Sequence, residues 1–595
     1  MNMEQEIRPK LTDKNIINNI FKYVKTKKKA YIIAFFTMMV AVAIDLTLPV
    51  IQQNIARLLG TDLKTFNIVL LLVISYSVLL VFTYVIQYFQ TMTLQVTGQG
   101  IIYNIREDVF RHLENLSIAQ LTMIPVGKLV TRVTSDVNTL NELFTNILIN
   151  LIKNGLSIIG VLFVMFFTNP LLAFYVLLMT PLVFIISLVF RRTSRKVYRE
   201  VRHNVANVNA FLSENISGIK ITQVFNQEEK KLDEFREKNN QLRRTSLKQI
   251  LVFGIFRPAI QVLYLLSVML IFWVGTINFI EGGPITFDIL IAFNQFISLL
   301  FTPIQEIAEE FNLLQSAFAS SERIFETLDT KIDIVDDEDS VELTELKGEI
   351  EFKNVWFRYI EDEWILKDVS FKINAGDTVA FVGATGSGKT TILSLIVRNY
   401  DIQQGQILID GIDIKKIKLN SLRRNIGQML QDVFLFSGTI TSNIQMREEE
   451  ISKEEIIEAC NYVNANHFIE QLPDQYDEIV RERGNNFSSG QRQLLSFART
   501  IVHKPKIMIL DEATANIDTE TEVLIQDSLE KMMNIGTMIM VAHRLSTIQH
   551  ADKIIVLQKG VIVEEGNHQE LLKNKKHYYK LYQLQYQNKD NSQKL

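Results

Sequence analysis

At 595 residues, 47% of them apolar, the chain is too long for one hydrophobic core and divides into several domains. Its net charge of −4 gives no basis for a nucleic-acid partner. The single cysteine, Cys460, excludes a disulfide framework and a cysteine-rich metal site, and fits a large soluble part in a reducing compartment.

The N-terminus (MNMEQEIRPKLTDK) is polar and charged. It shows no apolar signal-peptide core, so the first membrane helix is expected to serve as its own insertion signal. Six apolar runs follow, at about 31–54, 67–90, 147–168, 171–190, 255–279 and 287–311. Each has the roughly 20 residues that about 30 Å of hydrocarbon requires. One such run could be a buried helix of a soluble core; six within 320 residues read as a membrane domain. Only Asn169-Pro170 separates the third from the fourth, which predicts a tight helical hairpin.

Orientation follows from the positive charges. Lys22, Lys25, Lys27, Lys28 and Lys29 precede the first run, and Arg191, Arg192, Arg195, Lys196, Arg199 and Arg202 follow the fourth. The opposite loops hold only Arg57 and Lys64. The N-terminus is therefore expected in the cytoplasm and, after an even number of spans, so is the C-terminal half. The two cytoplasmic connections, about 91–146 and 191–254, are charged and read as helical hairpins. Their turns are expected near Ala119–Pro125 and Phe211–Ile219. Such hairpins can carry force to the membrane, or can be plain solvated helices.

Within the runs, Asp45 and Gln261 are candidates for an aqueous cavity, since a charge in mid-bilayer costs about 2.5–3.5 kcal/mol on insertion scales. Lys153 and Arg257 are expected to snorkel to the interface. Glu306 and Glu309 lie toward the inner end of the sixth run.

An acidic stretch, Asp333–Glu345 (DIVDDEDSVELTE), marks the boundary between halves. The expected division is a membrane domain at 1–320, a linker at 321–346, an ATPase domain at 347–585 and a polar tail at 586–595. Beyond the linker, short β-rich runs alternate with helical ones, which predicts a largely parallel sheet. The expected fold is thus an all-α six-span domain followed by an α/β P-loop domain.

The strand TVAFV (378–382) runs into GATGSGKT (383–390) and then a helix, the P-loop pattern in its required setting. Gly383, Gly386 and Gly388 let the backbone N–H groups of the loop, with Ala384, Thr385 and Ser387, curl around phosphates at a helix N-terminus; Thr391 follows in that helix. Lys389 would reach the β- and γ-phosphates and Thr390 would hold Mg²⁺. A second strand, KIMIL (506–510), ends in Asp511 and Glu512. Asp511 would orient Mg²⁺ and Glu512 would polarise the attacking water.

With these residues in hand the chain resembles the ATP-binding cassette (ABC) exporters over nearly its whole length. The most specific mark is NNFSSGQRQLLSFAR (485–499), similar to the family's LSGGQ signature with Phe487 for Leu and Ser489 for the first Gly. The resemblance implies further roles. Tyr359 would stack on adenine, Gln431 would touch Mg²⁺ and water, Asp518 would lie in the loop crossing the dimer interface, and His543 would contact the γ-phosphate. Ser488, Ser489, Gly490 and Gln491 would open a helix that meets ATP held by another subunit.

One P-loop and one signature per chain imply two chains for two closed sites. Ser489 and the preceding VRERGNN, in place of a more usual V-G-E-R-G, resemble one half of the heterodimeric bacterial multidrug exporters; a tolerated small-residue swap in a homodimer is the other reading. The expected activity is ATP-driven, multidrug-type export of hydrophobic or amphipathic compounds across the lipid bilayer of the cytoplasmic membrane. Lipid or peptide export, or an ATP-gated channel, remain alternatives on the same architecture.

Overall fold

The computed structural model describes residues 13–59, 66–343, 345–446, 450–511, 519–541 and 548–592. The chain separates into two compact units: residues up to 115 with 124–331, and residues 116–123 with those from 332 onward.

The first unit is helical. An amphipathic helix, α1 (Asp13–Thr26), leads into α2 (Lys28–Leu58) and α3 (Phe66–Asn115). Next comes α5 (Val126–Thr168), broken by π-helical stretches at Arg132–Asp136 and Leu143–Ile147. Then follow α6 (Pro170–Ser217), the short α7 (Ile219–Val224), α8 (Glu228–Ile280) and α9 (Phe287–Leu328). Six of these, α2, α3, α5, α6, α8 and α9, are long and apolar enough to cross a membrane. Asn169 turns α5 into α6 as expected: its Oδ1 accepts from Leu172 N at 3.1 Å, with Pro170 at the first helical position.

Spans and charged loops are continuous rods. At 1.5 Å per residue, the 48 residues of α6 extend about 72 Å. The second hairpin turns where expected: α6 continues to Ser217 and the break falls at Gly218, within the predicted Phe211–Ile219, just before α7. By contrast, α9 runs to Leu328, into the expected linker, and the expected polar tail is helical as far as Ser592. Polar composition marked those ends, but a helix tolerates exposed polar residues without ending.

Aromatic contacts join α6 to α8: Phe190 stacks on Phe256 at 3.8 Å and Phe211 on Phe235 at 6.2 Å. Small residues permit close approach between the other helices. A Cβ on Gly160 would lie 2.5 Å from Leu46 Cδ1, and one on Gly275 would lie 2.4 Å from Leu290 Cδ2.

Several polar groups in the helices find partners. Arg257 Nε and Nη2 donate to the two carboxylate oxygens of Glu309 at 3.3 and 3.2 Å. Asn150 Nδ2 donates to Glu310 Oε1 at 2.6 Å, and Gln53 Nε2 to Asp288 Oδ2 at 3.2 Å. Gln261 is exposed and Asp45 half-buried. Toward the end of α9, Arg323 and Ser320 both donate to the buried Asp136 carboxylate of α5.

The second unit contains α4 (Ile118–Thr122), within the first predicted hairpin turn, closed by a capping box between Ser117 and Gln120. An antiparallel sheet carries the order β2-β1-β4-β5, with β1 at Ile350–Arg358, β2 at Trp364–Ile373, β4 at Gln404–Ile409 and β5 at Ile412–Asp413. The main sheet runs β12-β11-β3-β10-β9-β6. Its strands are β3 (Thr378–Val382), β6 (Ile426–Met429), β9 (Ile507–Asp511), β10 (Thr537–Val541), β11 (Lys553–Gln558) and β12 (Val561–Gly566), while β7 (Gly438–Thr439) and β8 (Ile479–Val480) form a separate short ribbon. All its pairings are parallel except β11 with β12.

Both faces of the main sheet are buried, in strict alternation. Ala380, Met508, Leu510, Met538 and Met540 enter one core with the helices that carry the signature segment. Val379, Phe381, Ile507, Ile509 and Ile539 enter another with the antiparallel sheet. This explains the uninterrupted apolar runs that read as strands.

Candidate functional site

The chemistry-bearing segments gather at the carboxyl edge of the parallel strands, where open α/β sheets bind ligands. The loop 383–388 leaves β3, Asp511 closes β9, and Gln431 stands two residues beyond β6. Register keeps these ends level: Val541 pairs with Phe381 on one side and Asp511 on the other, and Met429 pairs with Leu510.

The loop between β3 and the next helix, α10 (Lys389–Ile396), has a forced shape. Gly388 adopts φ +104°, and a Cβ there would meet Leu366 Cδ2 at 2.7 Å. A Cβ on Gly383 would meet the Leu557 carbonyl oxygen at 2.3 Å. Gly386 also has positive φ, at +79°. Ala384, Thr385, Gly386 and Thr390 are exposed, while Ser387, Gly388, Lys389 and Thr391 are buried.

Lys389 folds back over the loop. Its Nζ donates to the carbonyls of Gly383 at 2.8 Å and Ala384 at 3.1 Å. Burial lowers its pKa from the ordinary value, and the Asp511 carboxylate opposes that shift. Ser387 Oγ is buried with no hydrogen-bond partner. A buried ammonium facing neutral carbonyls, an orphaned hydroxyl and a helix N-terminus together fit a polyphosphate, which supplies acceptors and negative charge at once. Thr390, Asp511 and Gln431 offer the hard oxygen donors that suit Mg²⁺.

Tyr359 lies just beyond β1. Its hydroxyl donates to Thr391 Oγ1 at 3.1 Å, and its ring meets Phe357 and Tyr400 edge-on at 4.8 and 5.0 Å. Tyr359 is 42% exposed and lines a cavity of about 360 Å³ with Tyr400, Ala119 and Met123.

The signature segment opens a helix, α12 (Ser489–Ile501). Ser488 is its N-cap: Oγ accepts from Gln491 N at 3.2 Å while Ser488 N donates to Gln491 Oε1 at 2.9 Å. Ser488 is exposed, Ser489 and Gln491 half-buried and Gly490 buried. Phe487 is a core residue against Phe468 at 6.1 Å, which explains an apolar side chain just before the cap. Glu512, Asp518 and His543 lie outside the described residues.

Two residues that motif reading passed over hold the region following Gln431. Arg499 of α12 donates from Nε to Asn443 O at 2.8 Å, from Nη1 to Phe434 O at 3.0 Å and from Nη2 to Asn443 Oδ1 at 3.0 Å. Asn443, on the helix α11 (Ile440–Gln445), accepts from Phe436 N and donates to Phe436 O, each at 2.8 Å. The hint lay in the last residue of the signature segment, a charged side chain directly after the mostly apolar run LLSFA (494–498).

The ABC transporter transmembrane region profile matches residues 31–304, and the ABC transporter profile matches residues 366–515. An ABC transporter ATP-binding protein of Streptococcus pneumoniae is 38% identical, with 96% of this chain and 97% of the relative covered. A probable multidrug resistance ABC transporter ATP-binding/permease protein of Bacillus subtilis is 38% identical over 87% of this chain and 76% of the relative. The solved structure of a bacterial Atm1-family ABC exporter with ATP bound superposes with a TM-score of 0.79 at 26% identity, covering 94% of this chain and 98% of that one.

Proposed function

The chain belongs to the ABC transporter family, and from that premise we propose that it is one half of a dimeric, multidrug-type exporter of hydrophobic or amphipathic compounds. It is a multi-pass membrane protein with an ATP-binding domain, and hydrolysis is coupled to transport. Its architecture of one P-loop and one signature helix implies dimerisation. The lysine and arginine clusters favour the cytoplasmic membrane with the N-terminus and the ATPase domain (347–585) inside.

The observation that carries the reading is the buried Lys389 ammonium on the loop carbonyls, beside Asp511 at the sheet's carboxyl edge. The loop from Gly383 to Thr390, with Thr391 and an adenine-stacking Tyr359, would bind ATP. Thr390, Asp511 and Gln431 would hold Mg²⁺, which would neutralise phosphate charge. Glu512 would take the proton of the attacking water, Gln431 would orient that water, and His543 would donate to the γ-phosphate. Ser488, Ser489, Gly490 and Gln491 would close on nucleotide held by the partner half, with Asp518 at the same interface. The Ser488 capping box uses a lone pair of Oγ, and the rotating O–H can turn to a phosphate.

Ser489 favours a heterodimer whose hydrolysing site combines this P-loop with the other half's signature. The decisive experiment pairs two variants in reconstituted vesicles with a fluorescent ATP analogue. Lys389→Ala should lose nucleotide binding, whereas Glu512→Gln should keep binding and abolish both turnover and dye export. Full turnover in Glu512→Gln rejects its role as base. Strong ATPase activity of the chain purified alone rejects the heterodimer.

A further inference from the structure

The N-terminal end of the membrane unit carries a feature that nucleotide chemistry does not use. Helix α1 docks by Ile16 and Ile20, both buried, and by Tyr23. The Tyr23 hydroxyl donates to Asp108 Oδ2 at 2.8 Å, and its ring stacks with Phe325 at 6.3 Å. Between α1, the start of α2 and the α5 segment around Ile149 lies a cavity of about 660 Å³, within the roughly 300–1,000 Å³ range of small-molecule sites.

Its lining is apolar. Ala34 and Met38 are its buried residues, and Phe21, Phe35 and Ile152 are exposed to it and to the surroundings. Two charged side chains join them, Lys25 and Lys28, both exposed. No carboxylate lines the cavity among the described residues. Lys22, Lys25, Lys27, Lys28 and Lys29 all fall within residues 22–29, a stretch with no acidic residue.

An apolar pocket with cations at its mouth, at the start of a membrane-crossing helix, matches one kind of molecule: an apolar tail with an anionic head. We propose that this cavity binds an anionic phospholipid, one acyl chain lying against Ala34, Met38 and Ile152 and the phosphate meeting Lys25 and Lys28. The lipid is a bound ligand at the membrane surface of the first unit, separate from any cargo. Its headgroup charge is selected by the lysines, and its chain is held by shape and apolar contact alone.

The test places the full chain, in the dimer in which it purifies, into phosphatidylcholine nanodiscs containing a minor fraction of phosphatidylglycerol. Native mass spectrometry then counts the lipids that stay bound on release. Phosphatidylglycerol should be retained in preference to phosphatidylcholine. Lys25→Gln with Lys28→Gln should cut that preference about tenfold or more, while Lys27→Gln with Lys29→Gln, which do not line the cavity, should leave most of it. Ile152→Trp should fill the cavity and lower retention of both lipids; thermal unfolding in pure phosphatidylcholine shows whether that variant folds, and if it does not, the two lysine pairs decide. Equal retention of the two lipids, or equal loss from both lysine pairs, overturns the proposal.

Discussion

Arg499→Ala tests how the loop carrying Gln431 is held. Three hydrogen bonds from one guanidinium reach Asn443 O, Phe434 O and Asn443 Oδ1 at 2.8–3.0 Å. Hydrogen bonds from a charged donor contribute about 1.5–3 kcal/mol each, and truncation also leaves two carbonyls to find other donors. Non-additivity within one network lowers the sum, so about 3 kcal/mol of local stability should be lost. That corresponds to roughly 150-fold faster opening. Amide hydrogen exchange across residues 434–445 of the full chain should report it, with the strands β3 and β9 unaffected. Arg499→Lys should recover little, because an ammonium cannot span the fork of acceptors. Unchanged exchange in Arg499→Ala would refute the anchoring argument; uniformly faster exchange throughout the second unit would show that Arg499 supports the whole core instead.

Gly383→Ala should reduce nucleotide affinity sharply while costing about 1–3 kcal/mol of stability, because the new methyl meets the fixed Leu557 carbonyl; titration with labelled ATP checks it, and wild-type affinity contradicts the loop geometry. Arg323→Ala should destabilise the membrane unit by about 2 kcal/mol, less than a fully buried pair because Arg323 is half exposed; an unchanged melting temperature would show the Asp136 contact to be incidental. Burial pushes the Cys460 thiol up to about 12 from an ordinary 9.0, so maleimide at pH 8 should label it only after unfolding. The same shift means the folded chain keeps a proton that the unfolded chain releases. Its stabilising contribution is complete below pH 9 and is lost as pH rises toward 12.

Much of the site was legible because its pieces are local. The P-loop needs glycines at fixed offsets between a strand and a helix, and residues 378–391 carry strand, loop and helix in one stretch. The six spans were legible because hydrocarbon thickness imposes a length. Element ends were less so. Nothing in composition distinguishes a helix that stops from one that runs on as a polar, exposed rod, so α9 extended to Leu328, past the expected start of the linker at 321.

By itself the sequence determined the membrane and nucleotide character of the chain and the order of its parts, since those depend on residue type, spacing and run length along one strand of polymer. The tertiary structure decided what depends on residues far apart in the chain. It formed a separate antiparallel sheet beside the parallel one, and it interposed β10 between β3 and β9, so that Lys389 and Asp511, more than a hundred positions apart, share an electrostatic environment. It also joined Asp136 to Arg323 and Arg499 to Phe434. Such pairings are set by packing two faces of a sheet or two helices against each other. No local pattern encodes them, because their free energy appears only when the intervening chain has folded.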